Sequence, residues 1–508
     1  MVLSVGITMT GCKKYLDVNS DPNRATDQTV TPELLFTQAQ NAVGFRQASG
    51  DFGFLDQWMG YFGQNGGFAP QQNIISYNVD ITFGNTLFLN HYDVLYDLYL
   101  AKQKGLASGD SVLAGASMVL SAKLMQELVD LFGNLPYSQA WQSIKYPQPT
   151  YDKAQDIYKA LQSSLDSAII YLKTTPPKKY AASDIITHGD TTNQIWIKFA
   201  NTMKLRLMIR QSEVAGFDPS ADMAKIIANG GVLMAGMSVA VNPGYTNDVN
   251  KQSPFYEFNG WSPTGVQTNT STNANAYIIS QFEAYTEPDP REGRFFYPVG
   301  FGFSGNTYVG CAFGDAQANI PQSTQSSYFG PALVGGVTAG SSHVGDGSGA
   351  KQSQWIYPSY ESMFLWAEAV ARGWASGDAS AAFDAAVQES FVWLGVPNAA
   401  SAASDYKTND PEVADFTNAG TTSLSKARFI AYQKYLSLVG IDPMEAYFDQ
   451  NRLHFLTDNS YISLYAGKIS NTIPVRLPYP SSEYTSNATN VNAQGSINVF
   501  TSKLFWQP

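Results

Sequence analysis

Cysteine is nearly absent from this sequence: Cys12 and Cys311 are the only two. Two cysteines cannot build a disulfide framework, and without a close Cys pair they cannot build a zinc site of the CxxC kind. Histidine is almost as scarce. His91, His188, His343 and His454 are scattered and form no HExxH, so each reads as an ordinary surface or core histidine rather than a metal ligand. Charge is thin as well. Asp, Glu, Lys and Arg make up 14% of the chain, against about 25% in ordinary soluble domains. The formal balance is −11 and no basic run occurs. That disfavours nucleic acid binding, which needs several Lys/Arg contacts to phosphate, and attraction to an anionic bilayer surface. No apolar stretch reaches the roughly 18–20 residues of a membrane-spanning helix.

What is present is a chain of 508 residues that is 44% hydrophobic and 13% aromatic. That length suits two or three domains or one large helical array. Polarity comes from Asn, Gln, Ser, Thr and Tyr in place of charge. Neutral polar groups beside many aromatics suit an extracellular protein that meets neutral polar ligands such as sugars; a merely polar surface has the same composition. Residues 1–12 read MVLSVGITMTGC, a short apolar stretch ending in small residues before Cys12. This has the form of a lipoprotein leader ending at a lipidated Cys12, although it is short and lacks a basic start. A lipid would tether the protein to a membrane without inserting its fold.

After an extended arm, Thr31 and Pro32 open a helix that runs to about residue 48. Residues 49–82 are rich in Gly, Gln, Asn and aromatics and carry neither a helical nor a strand period. Long stretches of this kind are often functional. Helices are expected over 85–105, over 113–131 (Leu113, Ala116, Leu120, Leu124, Leu128 and Leu131 step by three or four), over 152–172 and over 193–213. In the last of these Trp196, Phe199, Met203 and Leu207 form one stripe. Lys204, Arg206 and Arg210 lie off it and read as structural ion-pair partners. Residues 231–354 read as an irregular insert with short strands and long loops. Helices resume at 359–372, where Glu368 and Arg372 make an i,i+4 pair, at 383–394, at 425–438 and at 443–454. The expected fold is therefore mainly α: tetratricopeptide-like helical hairpins over 31–230 and 355–460, with the loop-rich insert between them.

The search for chemistry is mostly negative. Residues 300–305 match GxGxxG literally, but no strand precedes them and no helix follows, so a dinucleotide site is not supported. No Walker loop, kinase signature or GxSxG elbow occurs. Glu283, Glu287, Asp289 and Glu292 could supply a carboxylate pair for glycoside hydrolysis, yet they read more simply as a solvated helix end and turn. The aromatic loops say more. Aromatic faces match the C–H faces of sugar rings, and flanking amides can bond hydroxyls. Trp261, Phe68 and Tyr77, with Asn73, are the candidate ligand contacts. Trp58, Tyr61 and Phe62, at i, i+3 and i+4, read as core.

An ordered set of blocks runs through the chain: CKKYLDVN from Cys12, DLFGNLPYSQA from Asp130, WIKFAN from Trp196 with Lys204, Arg206 and Arg210, WAEA from Trp366 with Arg372, QKY from Gln433, Glu445-Ala446, and Ile473-Pro474 with Arg476. By these the chain resembles the SusD/RagB family of nutrient-binding outer-membrane lipoproteins, in its SusD-like branch, over nearly its whole length. The resemblance implies residues 13–508 as a single SusD-like domain of largely helical fold. It also implies a lipid-anchored place on the outer face of the outer membrane and a SusC-like, TonB-dependent transporter as partner. It implies binding of an oligosaccharide, or in some relatives a peptide, and no catalysis. A peptide-binding importer component and a glycoside hydrolase are the alternatives. No cofactor is implied. Some relatives hold a calcium ion, and no matching set of oxygen ligands can be named here. The blocks belong to the scaffold, so no ligand residue carries over from the family.

Overall fold

Apolar residues that step by three or four along a segment make a stripe that must be buried, and a helix that buries it needs a neighbour. The computed structural model describes residues 27, 29–48, 50–142, 144–174, 180–188, 190, 192–302, 305–338 and 344–508. The leader, Cys12 with its expected lipid, most of the following arm and His343 lie outside them. Among the described residues, the helices of eleven residues or more are, in chain order, α1 (Pro32–Ala48), α2 (Asn85–Ala107), α3 (Ser111–Phe132), α4 (Ala154–Leu172), α5 (Gln194–Arg210), α6 (Ser359–Ala371), α7 (Ala379–Leu394), α8 (Ala399–Asn409), α9 (Ser423–Ser437) and α10 (Pro443–Leu453). The fold is thus helical, as the periodicity indicates.

Local chemistry sets the ends of these helices. Asp110 caps α3 by accepting from the Leu113 N–H at 3.0 Å, and Gly133 stops it at a φ of 84° that suits glycine. Asp442 accepts from the Glu445 N–H at 3.0 Å at the start of α10, with Pro443 in the first turn. Thr422 and Ser425 cap α9 reciprocally. Short connections make α2 and α3, and α6 and α7, neighbours, while α1 packs on α2 and α3 on α4 across longer ones. α5 packs against α3, α4 and α6, and so joins the two helical regions. One apolar core runs continuously from Leu35 to Trp506.

Buried charge threads this core. Arg206 and Arg210 of α5 reach Glu445 of α10 at 3.0 and 2.5 Å, and Arg210 also meets Asp130 of α3 at 3.1 Å. Lys434 of α9 bridges Glu445 at 2.9 Å and Asp449 at 2.5 Å, while Arg452 joins Asp449 at 2.8 Å to Glu368 of α6 at 2.5 Å. The basic residues of α5 are structural partners, as the sequence suggests. Their heads are enclosed on the face of α5 that packs against α3, α4 and α6.

Three sequence expectations are corrected. Residues 49–82 contain the 3₁₀ turn Gly50–Phe52, helices Gly53–Trp58 and Gln72–Ser76, and strand Phe62–Gln64; each is too short to show a period. Asp289 and Glu292 are buried, not solvated, and Asp289 pairs with buried Arg291 at 2.6 Å. Helix α3 is long and apolar enough to cross a membrane by length and composition. Its most apolar window is 94% buried inside the fold, so it is a central core helix here. The insert forms short antiparallel pairs, Val239–Val241 with Gln354–Tyr357 and Phe296–Tyr297 with Tyr328–Phe329.

Candidate functional site

The strand Phe62–Gln64 pairs antiparallel with Thr272–Ala274, in the register Phe62↔Ala274, Gly63↔Asn273 and Gln64↔Thr272. Glycine is needed at 63, since a Cβ there would stand 2.7 Å from the Cys311 carbonyl oxygen. This pairing draws the loop-rich region 49–82 against the insert. Between them, and over the turn that joins α9 to α10, lies a cleft of about 630 Å³, within the range of small-ligand sites.

Its polar lining is made of amides and hydroxyls. Gln57 Nε2 donates to Gln71 Oε1 at 3.0 Å, and Gln64 Oε1 accepts from the Gln71 N–H at 3.2 Å. Across the cleft Asn269 Nδ2 donates to Asn259 Oδ1 at 2.9 Å, while Asn269 Oδ1 accepts from the Ser271 and Thr272 N–H groups at 3.1 Å each. Asn73 Oδ1 accepts from the Ile74 N–H at 3.0 Å. Gln64 and Asn269 are held at both ends, and the rest by one end. The other ends of Gln57, Gln71, Asn73 and Asn259 have no hydrogen-bond partner among the described residues and can meet a ligand.

The apolar lining is mostly phenylalanine, with Ile74 and Leu87. Phe62 packs edge-on to Phe329 at 4.7 Å, and Phe54 edge-on to Phe83 at 4.9 Å. Phe52, Phe54, Phe62, Phe255 and Phe329 are buried. Phe83 is partly buried and Phe258 is 37% exposed, so these two rings keep surface for a ligand. Two acids complete the cleft. Asp51 pairs with Arg46 at 2.7 Å and accepts from Asn90 Nδ2 at 3.1 Å. Asp56 has no such partner among the described residues: its Oδ1 is buried and makes no hydrogen bond with them. Burial, and next the charge of Asp442, push its carboxyl well above the ordinary carboxylate range.

The four residues singled out in the sequence fall in different places. Asn73 lines the cleft. Phe68 is 41% exposed on the adjoining turn, where its carbonyl accepts from Gln317 Nε2 at 2.8 Å. Tyr77 is buried against Trp58, ring centroids 5.9 Å apart, and its hydroxyl accepts from the Ser463 N–H at 2.8 Å. Trp261 is buried among Tyr256, Phe301 and Tyr328 at 6.0–6.1 Å. The structure therefore does not bring the four together, and protein covers the rings of Tyr77 and Trp261. Gln64 and Gln71, amides of the same loop-rich region, do line the cleft. Asp56, Gln57, Phe83, Phe258, Asn259 and Asn269 carry no sequence signal that separates them from core or surface residues. Among the described residues no group of three or more His, Cys, Asp or Glu side chains is placed to hold a metal ion.

Comparison with known proteins follows the same lines. Residues 22–480 match the family model described as SusD-like, starch-binding and associating with the outer membrane. A SusD-like protein of Bacteroides thetaiotaomicron has a solved structure that superposes with a TM-score of 0.72 at 23% identity, covering 94% of this chain and 98% of that one. A chitin-binding SusD homologue of Flavobacterium johnsoniae superposes with a TM-score of 0.71 at 20% identity, covering 93% and 97%. A SusD homologue of Bacteroides fragilis gives 0.71 at 20%, covering 94% and 99%. No curated protein matches the chain.

Proposed function

The chain belongs to the SusD-like family, a family of binders and not of enzymes, and from that premise we propose that it takes an oligosaccharide into the 630 Å³ cleft and passes it to a SusC-like, TonB-dependent transporter. Residues 13–508 act as one domain, held on the cell surface by a lipid on Cys12. The observation that carries the reading is the lining of the cleft: amides held at one end and open at the other, beside phenylalanine faces. A sugar presents hydroxyls around its rim and C–H groups on its faces, and such a cleft meets both. Association of the family with the outer membrane supports the location, and the chitin-binding relative supports a glycan as cargo.

Asn73, Gln57 and Gln71 bond hydroxyls, Phe83 and Phe258 stack on ring faces, and Phe68 extends the surface at the adjoining turn. Tyr77 and Trp261 shape the loops from behind. Affinity gels and calorimetry against a panel of polysaccharides test this. Replacing Gln71, Asn73 or Phe258 by Ala should each weaken binding by about tenfold, the order of one or two lost contacts, with little change in melting temperature. Normal binding by all three variants would rule out this cleft. Product released from a bound oligosaccharide would overturn the non-enzymatic assignment.

A further inference from the structure

We infer, building on the glycan reading above, that the cleft sorts glycans by charge: it accepts neutral chains and chains with free amines, it rejects chains bearing uronate or sulfate, and Asp56 sets the sign. None of the described residues lining the cleft is Lys, Arg or His. A carboxylate or sulfate drawn out of water into it finds no cation to repay its desolvation. The basic group nearest by sequence, Arg46, is already engaged, with its guanidinium on Asp51 at 2.7 Å and over the Phe45 ring at 4.8 Å.

What the cleft does offer is acid. Asp56 stands in its lining with a buried oxygen that no described residue satisfies, and the charge of Asp442 acts on it. A ligand hydroxyl can hydrogen-bond the carboxyl where Asp56 lines the cleft. A ligand amine does more. It forms an ion pair with the carboxylate, a neutral amine by taking the proton where Asp56 holds one and an ammonium by pairing directly where it does not. Phenylalanine faces around the pair favour the cation.

The test uses the full-length protein and oligosaccharides of matched length: neutral glucans, N-acetylglucosamine oligomers, their deacetylated glucosamine counterparts, oligogalacturonates and sulfated oligosaccharides. Binding to a neutral or amine-bearing member and none to the acidic members is the expected result. Asp56→Asn, close in shape, should cut affinity for the glucosamine oligomer by at least about tenfold and for a neutral ligand by a smaller factor. Asp218→Asn, at an exposed acid away from the cleft, should leave that preference alone, which separates site recognition from general attraction to an acidic protein. Acidic oligosaccharides bound as tightly as neutral ones would overturn the charge rule while leaving the glycan reading intact. So would an amine preference that survives Asp56→Asn. If no glycan of any charge binds, the glycan reading itself falls and the charge rule with it.

Discussion

At the scale of single residues, the core of this protein holds charges that work against one another, and they make stability depend on pH in two directions. Burial and then the charge of Asp442 raise the Glu361 carboxyl from 4.5 to about 8, with Arg206 opposing and Glu445 adding to the rise. Glu292 is raised to about 8 as well, by burial and then by Glu283 and Asp289. An acid that holds its proton longer in the folded state costs stability as pH rises from its unfolded value through its folded one. Glu361 should therefore destabilise progressively between pH 4.5 and about 8. Glu361→Gln should gain melting temperature over the parent across that window and show little gain at pH 4; a constant difference would contradict it. Glu127 and Glu368 act oppositely. Against the upward push of burial, Lys123 and His91 hold the first at about 2, and Arg452 and Arg372 hold the second at about 2. Their contribution is present above 4.5 and is lost as pH falls toward 2. Removing one cation from the network is costly as well. Arg210→Ala strips Asp130 and Glu445 of a shared partner and should cost about 3–5 kcal/mol, the usual result of orphaning buried charge, measured by denaturant unfolding.

At the scale of elements, short local signals decide where helices stop and where the cleft opens. Gly133 ends α3 at a φ of 84°, and a Cβ there would face the Arg476 guanidinium and Leu504 at 3.2 Å each. Gly133→Ala should destabilise the fold by about 1–3 kcal/mol through left-handed strain alone, seen as a lower denaturant midpoint. Gly63 is a different case, because its restriction comes from a neighbour, the Cys311 carbonyl. Gly63→Val should force the pair Phe62–Gln64 and Thr272–Ala274 apart. Because Gln64 and Thr272 lie on that pair and line the cleft, glycan affinity should fall further than stability does. Equal binding by the variant would show that the pairing does not position the site.

At the scale of the whole molecule, what was legible in the sequence and what was not divide along a physical line. Long helices repeat their apolar stripe over several turns, so α3, α5 and α7 announce themselves, and glycine and proline mark their ends. The blocks that carry the family resemblance are legible for a related reason. Asp130, Arg206, Arg210, Glu368, Lys434 and Glu445 are the partners of one buried ion network, and a charge inside a core leaves its partners little freedom to change. The sequence also marks 49–82 and 231–354 as the places to look for a site, because long aperiodic segments rich in amides and aromatics have no other evident use. By itself, then, it determined a helical scaffold, its family, and the two regions that supply a site. Only the tertiary structure decided which residues make that site. Strand pairing across some two hundred residues places Gln64 beside Thr272. The same packing turns Tyr77 and Trp261 inward, leaves Phe258 exposed and leaves Asp56 without a partner among the described residues. A ring or a carboxyl has the same letter whether it faces core or cleft. Its role is set by what packs against it, and that is a property of contacts between distant segments, which no local pattern carries.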